Sequence, residues 1–437
     1  MIALIQAGGA GTRLKSITGD LPKPMVRICG KPILQWQIES MSSSGIDEFI
    51  IVVSDKSTAV QDYFGDGKPF GCKIRYIVEK TPLGSGGALA LVAAEIKDDF
   101  ILCFGDLMLD IDWGRFLSFH KQKESVITAF AHPNSHPNDS DVLLTDEEGK
   151  IIRVLSKNTE RDFFYENLTN AGVYCVSPLL LSTFDGEEAP SKMDFEKDLL
   201  FPTIACGGGY AYRSSEYVKD AGTPERYESV TKDCENGIIS AKCLKKPQKA
   251  IFLDRDGTIN KFGNFVTDPS MLELIPQAPS AIKAINHSDY LAICITNQPV
   301  VARGETTLAG LREIHFKMED LLGKEGAYLD DLYFCPHHPD KGFPGEVPEL
   351  KIACDCRKPR IGMLLKAKDK YNIDLKASWF MGDTCQDVQT GINAGCKTVL
   401  LLGGDPRPYA KFGDAKPDFV CQTIDEAVEF ILSKEEQ

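Results

Sequence analysis

In the middle of the chain an apolar run, Ala250-Ile251-Phe252-Leu253, ends on Asp254-Arg255-Asp256-Gly257-Thr258. A strand that stops there presents two carboxylates at the carboxyl edge of a sheet, where open α/β folds carry their chemistry. One carboxylate can act as a nucleophile and the other as a general acid/base. A comparable onset stands at the start of the sequence, where Ile2-Ala3-Leu4-Ile5 runs into Gln6-Ala7-Gly8-Gly9-Ala10-Gly11-Thr12-Arg13-Leu14. Glycines of this kind let backbone N–H groups approach phosphate, and a following helix N-terminus adds positive potential. With 437 residues there is room for two separate cores. The two onsets therefore predict two α/β domains.

The pattern between the onsets supports this division. Apolar β-rich runs at 49–53, 74–78 and 100–104 alternate with helical patterns at 33–43 and 87–96, which predicts a largely parallel sheet covered by helices. Further strands are expected at 125–131, 151–155 and 171–176. A helix is expected at 223–236, opened by Thr223-Pro224-Glu225. The basic, proline-containing stretch Lys242–Lys249 reads as a linker. The expected domains are residues 1–236 and 249–437, with 237–248 between them. The second half repeats the alternation: strand from 250, helix 278–286, strand 291–296, helix 308–322, strand 331–334, helix 362–371, and strands at 378–381 and 398–402.

The net charge of −14 disfavours a nucleic-acid-binding or anionic-membrane surface, although local Lys, Arg and metal can still hold anionic substrates. No apolar run reaches bilayer length, and the start of the sequence reads as a strand rather than a signal peptide, so the expectation is a cytoplasmic protein. Of 14 cysteines, three fall near 335–356; the rest are scattered, which suggests reduced thiols plus one metal site.

The glycine loop, in the form Gly9-x-Gly11-Thr12-Arg13-Leu14 with Leu21-Pro22-Lys23-Pro24-Met25 downstream, resembles the sugar-1-phosphate nucleotidyltransferases over roughly residues 1–235. Glu79–Ala88 is similar to that family's base-binding segment, Asn170–Tyr174 to its sugar-side strand, and Lys219–Pro224 to the segment bearing a second metal aspartate. The resemblance implies attack of a sugar phosphate on the α-phosphorus of a nucleoside triphosphate with release of pyrophosphate. Arg13 and Lys23 would be catalytic cations, and Asp106 and Asp220 would hold Mg²⁺. The nucleotide would lie on Ala7, Gly8, Gly9, Gly11, Thr12, Glu79 and Gly84, and the sugar on Lys157 and Asn170. Leu21–Met25 and Glu79–Ala88 look most like the guanylyltransferases acting on heptose 1-phosphate, with the Glu79 carboxylate suited to guanine's N–H donors. Two positions depart from the pattern: Gln6 replaces an apolar residue, and Ser156-Lys157-Asn158 replaces Glu-Lys-Pro.

The central motif resembles the first motif of the haloacid dehalogenase superfamily of phosphatases. A calcium loop would need a glutamate at its twelfth position, where Phe265 stands. Thr296-Asn297-Gln298, Arg357-Lys358-Pro359 and Gly382-Asp383, with Asp387 further on, follow in the family's order. The resemblance implies that Asp254 becomes an aspartyl phosphate while Asp256 protonates the leaving oxygen and then activates water. Mg²⁺ would be held by Asp254, the Asp256 carbonyl and Asp383. Thr296, Asn297, Arg303, Arg357 and Lys358 would hold phosphate or substrate. Cys335-x-His337-x16-Cys354-x-Cys356 supplies four ligands suited to a closed tetrahedral zinc site, with His338 as an alternative ligand. This loop resembles the heptose 1,7-bisphosphate phosphatases more closely than the histidinol-phosphate phosphatases. Pro299-Val300-Val301 and Thr384 depart from the family pattern.

The expected fold is α/β: an N-terminal Rossmann-like, GT-A-like nucleotidyltransferase domain and a C-terminal haloacid dehalogenase-like doubly wound domain with a zinc loop. The expected function is bifunctional. The second domain removes the 7-phosphate of D-glycero-D-manno-heptose 1,7-bisphosphate, and the first transfers a nucleotidyl group, GMP from GTP, to the 1-phosphate. The cofactors implied are Mg²⁺ in both domains and structural Zn²⁺ in the second. The partners are sugar phosphate and nucleoside triphosphate, with no nucleic acid and no membrane; a homo-oligomer is left open. The alternatives are a histidinol-phosphate phosphatase fused to another sugar nucleotidyltransferase, or a non-catalytic first half.

Overall fold

A computed structural model describes residues 1–8, 14, 19, 21–184, 192–403 and 415–434. Its packing divides into two units. The first is Met1–His132, Leu143–Ser156 and Thr169–Lys245; the second is Pro133–Val142, Lys157–Leu168 and Lys246–Gln437.

The first unit is built on β1 (Ile2–Gln6), β2 (Arg27–Ile28), β3 (Lys31–Pro32), β4 (Glu48–Ser54), β5 (Lys73–Glu79), β6 (Phe100–Phe104), β7 (Leu107–Asp110), β8 (Ile127–His132), β9 (Val142–Thr145), β10 (Ile151–Leu155), β11 (Thr169–Val176), β12 (Gly209–Arg213) and β13 (Tyr217–Asp220). The main sheet runs β10-β9-β11-β6-β1-β4-β5, with β8 and β12 joined through β11. The β1 run is buried because β4 and β6 flank it in parallel: Ala3 faces Phe49 on one side and Ile101 on the other. Ala7-Gly8, Ser54 and Gly105-Asp106 consequently stand at one edge of the sheet.

Two expectations change here. Part of the sheet is antiparallel, since β11 runs against both β6 and β8. None of the connections from β8 to β11 carries an α-helix, whereas a parallel pair needs a long crossover. The helix expected at 87–96 is a turn, Gly84–Gly87, followed by a 3-10 turn, Ala88–Leu91; its three glycines give poor helix propensity.

In the stretch read as a linker, Ile238, Ile239, Cys243 and Leu244 are buried in the first unit. The Leu244 N–H donates to Glu216, whose carboxylate also accepts from Asp112 N–H and the Ser214 hydroxyl. Cys29, in the β2–β3 turn, pairs with Cys234 as a disulfide, contrary to the expectation of reduced thiols. The helix Pro224–Glu235 lies against that turn, with Tyr227 Oη donating to Arg27 O at 3.1 Å.

The second unit holds β14 (Lys249–Leu253), β15 (Tyr290–Asn297), β16 (Asp331–Cys335), β17 (Trp379–Gly382), β18 (Lys397–Leu401) and β19 (Phe419–Cys421). They form one sheet in the order β16-β15-β14-β17-β18-β19, and every neighbouring pair is parallel. Central strands of such a sheet are covered on both faces, which is why β14 and β15 read as near-continuous apolar runs. The order reverses at β14, so Asp254 leaves the sheet at a topological switch point.

Candidate active sites

At that switch point Asp254, Thr296-Asn297 and Asp383 emerge from the ends of β14, β15 and β17, and the Asp254 N–H donates to Met381 O at 2.9 Å. Carboxylate oxygens of Asp254, Asp383 and Asp387 all lie within 4.8 Å of one another. Asp387 reaches this group from the first turn of the helix Cys385–Ala394, where it forms a capping box with Thr384. The approach demands glycine at 382: a Cβ there would stand 2.4 Å from Asp387 Cγ. Thr384, a departure from the family pattern, thus has a local role as the helix cap.

The buried Lys358 ammonium neutralises part of this charge, with Nζ 2.7 Å from Asp254 Oδ1 and 2.5 Å from Asp387 Oδ1. Burial pushes the Asp254 carboxyl up to about 8, as do the neighbouring carboxylates, while Lys358 acts in the opposite direction. Burial disfavours the Lys358 ammonium too, but the two carboxylates outweigh that and hold its pKa above the ordinary value. Three carboxylates sharing one cation form an oxygen donor set that suits a hard divalent ion. Asp387 lies in that set beside Asp254 and Asp383, the two carboxylates that the resemblance implies as ligands together with the Asp256 carbonyl.

Asp256 sits in a separate cage. Its carboxylate accepts from Arg255 Nε (3.1 Å) and Nη2 (2.8 and 2.9 Å), from Asn260 Nδ2 (3.0 Å) and from Gln298 Nε2 (2.8 Å). Burial works to raise this carboxyl, but the Arg255 charge and these donors prevail and leave it below the ordinary value. The Asn297 amide is spent on the Lys358 backbone: Oδ1 accepts its N–H at 3.0 Å and Nδ2 donates to its carbonyl at 3.3 Å. Asn297 therefore orients the lysine-bearing loop.

The four zinc-type ligands converge. Cys335, His337 Nδ1, Cys354 and Cys356 are separated by 3.1 to 3.6 Å in five pairs. A tetrahedron with such edges has its centre about 2 Å from each corner, close to the ~2.0–2.3 Å of zinc–nitrogen and zinc–sulfur bonds. Hydrogen bonds from Cys335 and then Cys354 and His337 lower the Cys356 thiol to about 5. His338 stands outside the group: its Nδ1 accepts the Asp340 N–H, and its Nε2 lies 3.5 Å from Arg303. Arg303 lies 4.7 Å from the centres of both the Phe265 and Phe343 rings, and Arg357 donates to His337 O.

In the first unit Lys23 Nζ is 2.9 Å from Asp106 Oδ2. Pairing of β13 with β7 places Asp220 opposite Leu107, and Ala221 N–H donates to Asp106 O. Asp220 Oδ1 accepts the Gly222 N–H, and its Oδ2 accepts from Arg226, which the sequence reading did not single out. A Cβ on Gly222 would meet Asp220 Oδ1 at 2.6 Å and Lys23 Nζ at 2.9 Å, so these three residues share one small space. Asp106 and Asp220 offer carboxylate oxygens suited to Mg²⁺.

Glu79 Oε2 would lie 3.3 Å from a Cβ on Gly8, and burial raises its carboxyl pKa. Gln6 finds a purpose here, donating from Nε2 to Ser85 O at 3.0 Å. Gly84, at φ +77°, lies where the chain crosses Met193 too closely for any Cβ. Asn170 Nδ2 donates to Tyr174 Oη and to Glu196. Ala7 N–H donates to Val52 O. Lys157 is exposed in a segment of the second unit, and its N–H donates to Asp141. Gly9, Gly11, Thr12 and Arg13 lie outside the described residues.

Fold and geometry define the class: an α/β enzyme with two sites for phosphate chemistry, one with Lys23 between paired aspartates beyond the end of β1 and one at an Asp-x-Asp switch point with a buried lysine. Nucleotidyl transferase matches residues 2–237, and HAD-hydrolase-like matches residues 355–427. Mannose-1-phosphate guanylyltransferase of Mycobacterium tuberculosis is 30% identical over 56% of this chain and 67% of its own. D-glycero-beta-D-manno-heptose-1,7-bisphosphate 7-phosphatase is 36% identical in Yersinia pestis, over 40% of this chain and 90% of its own, and 37% identical in Escherichia coli K12, over 38% and 87%. A crystal structure of HddC from Yersinia pseudotuberculosis is 29% identical over 53% of this chain and 99% of its own, with a TM-score of 0.46. The chain belongs to the nucleotidyl transferase family through its first half and to the heptose-bisphosphate phosphatase family of haloacid dehalogenase-type hydrolases through its second. It is a fusion of two enzymes.

Proposed function

We propose that the chain carries out two consecutive steps in making a nucleotide-activated heptose. Residues 249–437 remove the 7-phosphate of D-glycero-D-manno-heptose 1,7-bisphosphate, and residues 1–236 transfer GMP from GTP to the resulting 1-phosphate, releasing pyrophosphate. The observation that carries this reading is the pairing itself: the product of one half is the acceptor class of the other. The heptose is supported by the named phosphatase relatives and the guanylyl group by the named transferase relative. Glu79 beside Gly8 offers a carboxylate for the N1–H and N2–H₂ donors of guanine.

In the phosphatase half Asp254 is the nucleophile, and Asp256 relays a proton from the bound phosphate monoanion to the leaving sugar oxygen and then takes one from water. Lys358 offsets the repulsion between the Asp254 carboxylate and the phosphate, and Thr296 donates to a phosphate oxygen. Mg²⁺ held by Asp254, the Asp256 carbonyl and Asp383, with Asp387 close by, would add a second positive charge there. Zinc on Cys335, His337, Cys354 and Cys356 would pin the loop that leads into Arg357 and Lys358. In the transferase half Lys23, with Arg13, neutralises and aligns the triphosphate, and Asp106 and Asp220 are suited to hold Mg²⁺. No helix among the described residues is long and apolar enough to cross a membrane, and we place both reactions in the cytoplasm.

The test is a panel of four nucleoside triphosphates against both anomers of heptose 1-phosphate, with mannose 1-phosphate alongside, followed by pyrophosphate release. GTP with a heptose anomer should be the preferred pair. Preference for mannose 1-phosphate, or no pyrophosphate with any pair, would overturn the transferase assignment. Faster hydrolysis of histidinol phosphate than of the bisphosphate would overturn the other half.

A further inference from the structure

Gln298 carries both amide hydrogens into the phosphatase site. Its Nε2 lies 2.8 Å from Asp256 Oδ2 and 2.9 Å from Thr296 Oγ1, and the residue is buried. The orientation of the amide is forced, because an ionised carboxylate only accepts and the nitrogen must face Asp256. Two hydrogens and two contacts then account for the whole NH₂ group. Thr296 is the acceptor in its contact, so its own hydroxyl hydrogen remains to be donated elsewhere. The Gln298 backbone is anchored as well, its N–H donating to Cys335 O at 2.8 Å, at the end of β16.

We propose that Gln298 is a positioning residue for phosphoryl transfer: one amide group holds Asp256 in line with the leaving oxygen and turns the Thr296 hydroxyl outward as a donor to the phosphate. This rests on the aspartyl-phosphate reading above. Arg255 and Asn260 also hold Asp256. Among the described residues Gln298 alone has hydrogen bonds to both the acid/base and the phosphate-holding hydroxyl. In the step concerned, an Asp254 oxygen forms a bond to phosphorus while the bond from phosphorus to the sugar oxygen breaks. Asp256 rests ionised, so the proton enters on the substrate's phosphate monoanion, moves to Asp256 and passes from it to that oxygen.

A sugar alkoxide is a poor leaving group and needs that proton, whereas 4-nitrophenolate departs without it. Gln298→Met and Gln298→Glu, each in the full chain, should therefore lose kcat/KM unevenly. This parameter covers steps only as far as the aspartyl phosphate. General acid catalysis contributes about 10²–10⁴-fold, so a misplaced Asp256 should cost the bisphosphate about 100-fold beyond the loss that the altered Thr296 contact imposes on both substrates alike. Equal losses on the two substrates, or an unchanged rate on the bisphosphate, would refute the role. The substitution to Glu keeps the shape of the side chain and decides the matter if the Met variant does not fold; nucleotidyl transfer by the same preparation checks its integrity. Asp254→Asn must abolish hydrolysis of both substrates. If it does not, the aspartyl-phosphate reading fails, which is a separate outcome.

Discussion

Replacing Lys358 with Met keeps most of the side-chain volume and removes the ammonium that, among the described residues, pairs with Asp254 and Asp387. Three carboxylates within 4.8 Å of one another then lose that cation. Removing one partner of a buried ion pair costs about 3–5 kcal/mol, because the remaining charge is stranded in a poor solvent. For a domain of 150–250 residues each kcal/mol moves the midpoint by about 2–4 °C, so the second unit should melt roughly 6–20 °C lower. The effect should be largest in EDTA. A divalent cation binding the same carboxylates stabilises the folded state by mass action, so saturating Mg²⁺ should recover part of the loss. Calorimetry of K358M and the parent protein in EDTA and in Mg²⁺ measures both quantities, with the transitions of the two units fitted separately. A midpoint in EDTA within about 2 °C of the parent's, well under the shift worked out above, would refute the argument that Lys358 is the cluster's principal counter-charge.

Cys354→Ser should lower zinc content below one ion per chain by elemental analysis and abolish phosphate release, with nucleotidyl transfer retained. Gly222→Ala drives a Cβ into Asp220 and Lys23 and should cut pyrophosphate release about 100-fold, the effect expected when a reacting group is misplaced by about an ångström, without changing phosphate release. Burial pushes Glu216 up to about 7 in the folded chain against 4.5 ordinarily, so its contribution to stability falls as pH rises between those values and is flat outside them. Relative to Glu216→Gln, the parent should lose about 3 kcal/mol across that interval in urea unfolding; a difference independent of pH would contradict this.

Residues in contiguous motifs were legible in the sequence because strand ends fix them. Asp254 follows an apolar run, Asp383 follows another, and two close pairs of ligands suffice to suggest a four-cornered site. Asp387 was visible only as part of a motif; its place against Lys358 depends on the cap of the helix Cys385–Ala394 and on the space above Gly382. Gln298 stood next to recognised residues, but the division of its two hydrogens is a tertiary fact. Arg226 and Glu216 left no sequence signal, since an arginine on an exposed helix and a glutamate before a strand are ordinary in isolation. Asn297 adds a role that its motif position did not show, since its amide holds the Lys358 backbone. The antiparallel half of the first sheet was missed because alternation of strands with helices carries no direction once the connections lose their helices.

The central claim is that two independent sites catalyse successive steps. Asp254→Asn and Asp106→Ala, assayed in the full chain with both the 1,7-bisphosphate and the 1-phosphate, test it directly. The first variant should release no phosphate from the bisphosphate yet still produce pyrophosphate and nucleotide sugar from supplied 1-phosphate and GTP. The second should release phosphate normally and produce no pyrophosphate. Loss of both activities in either variant, in protein that remains folded, would contradict it.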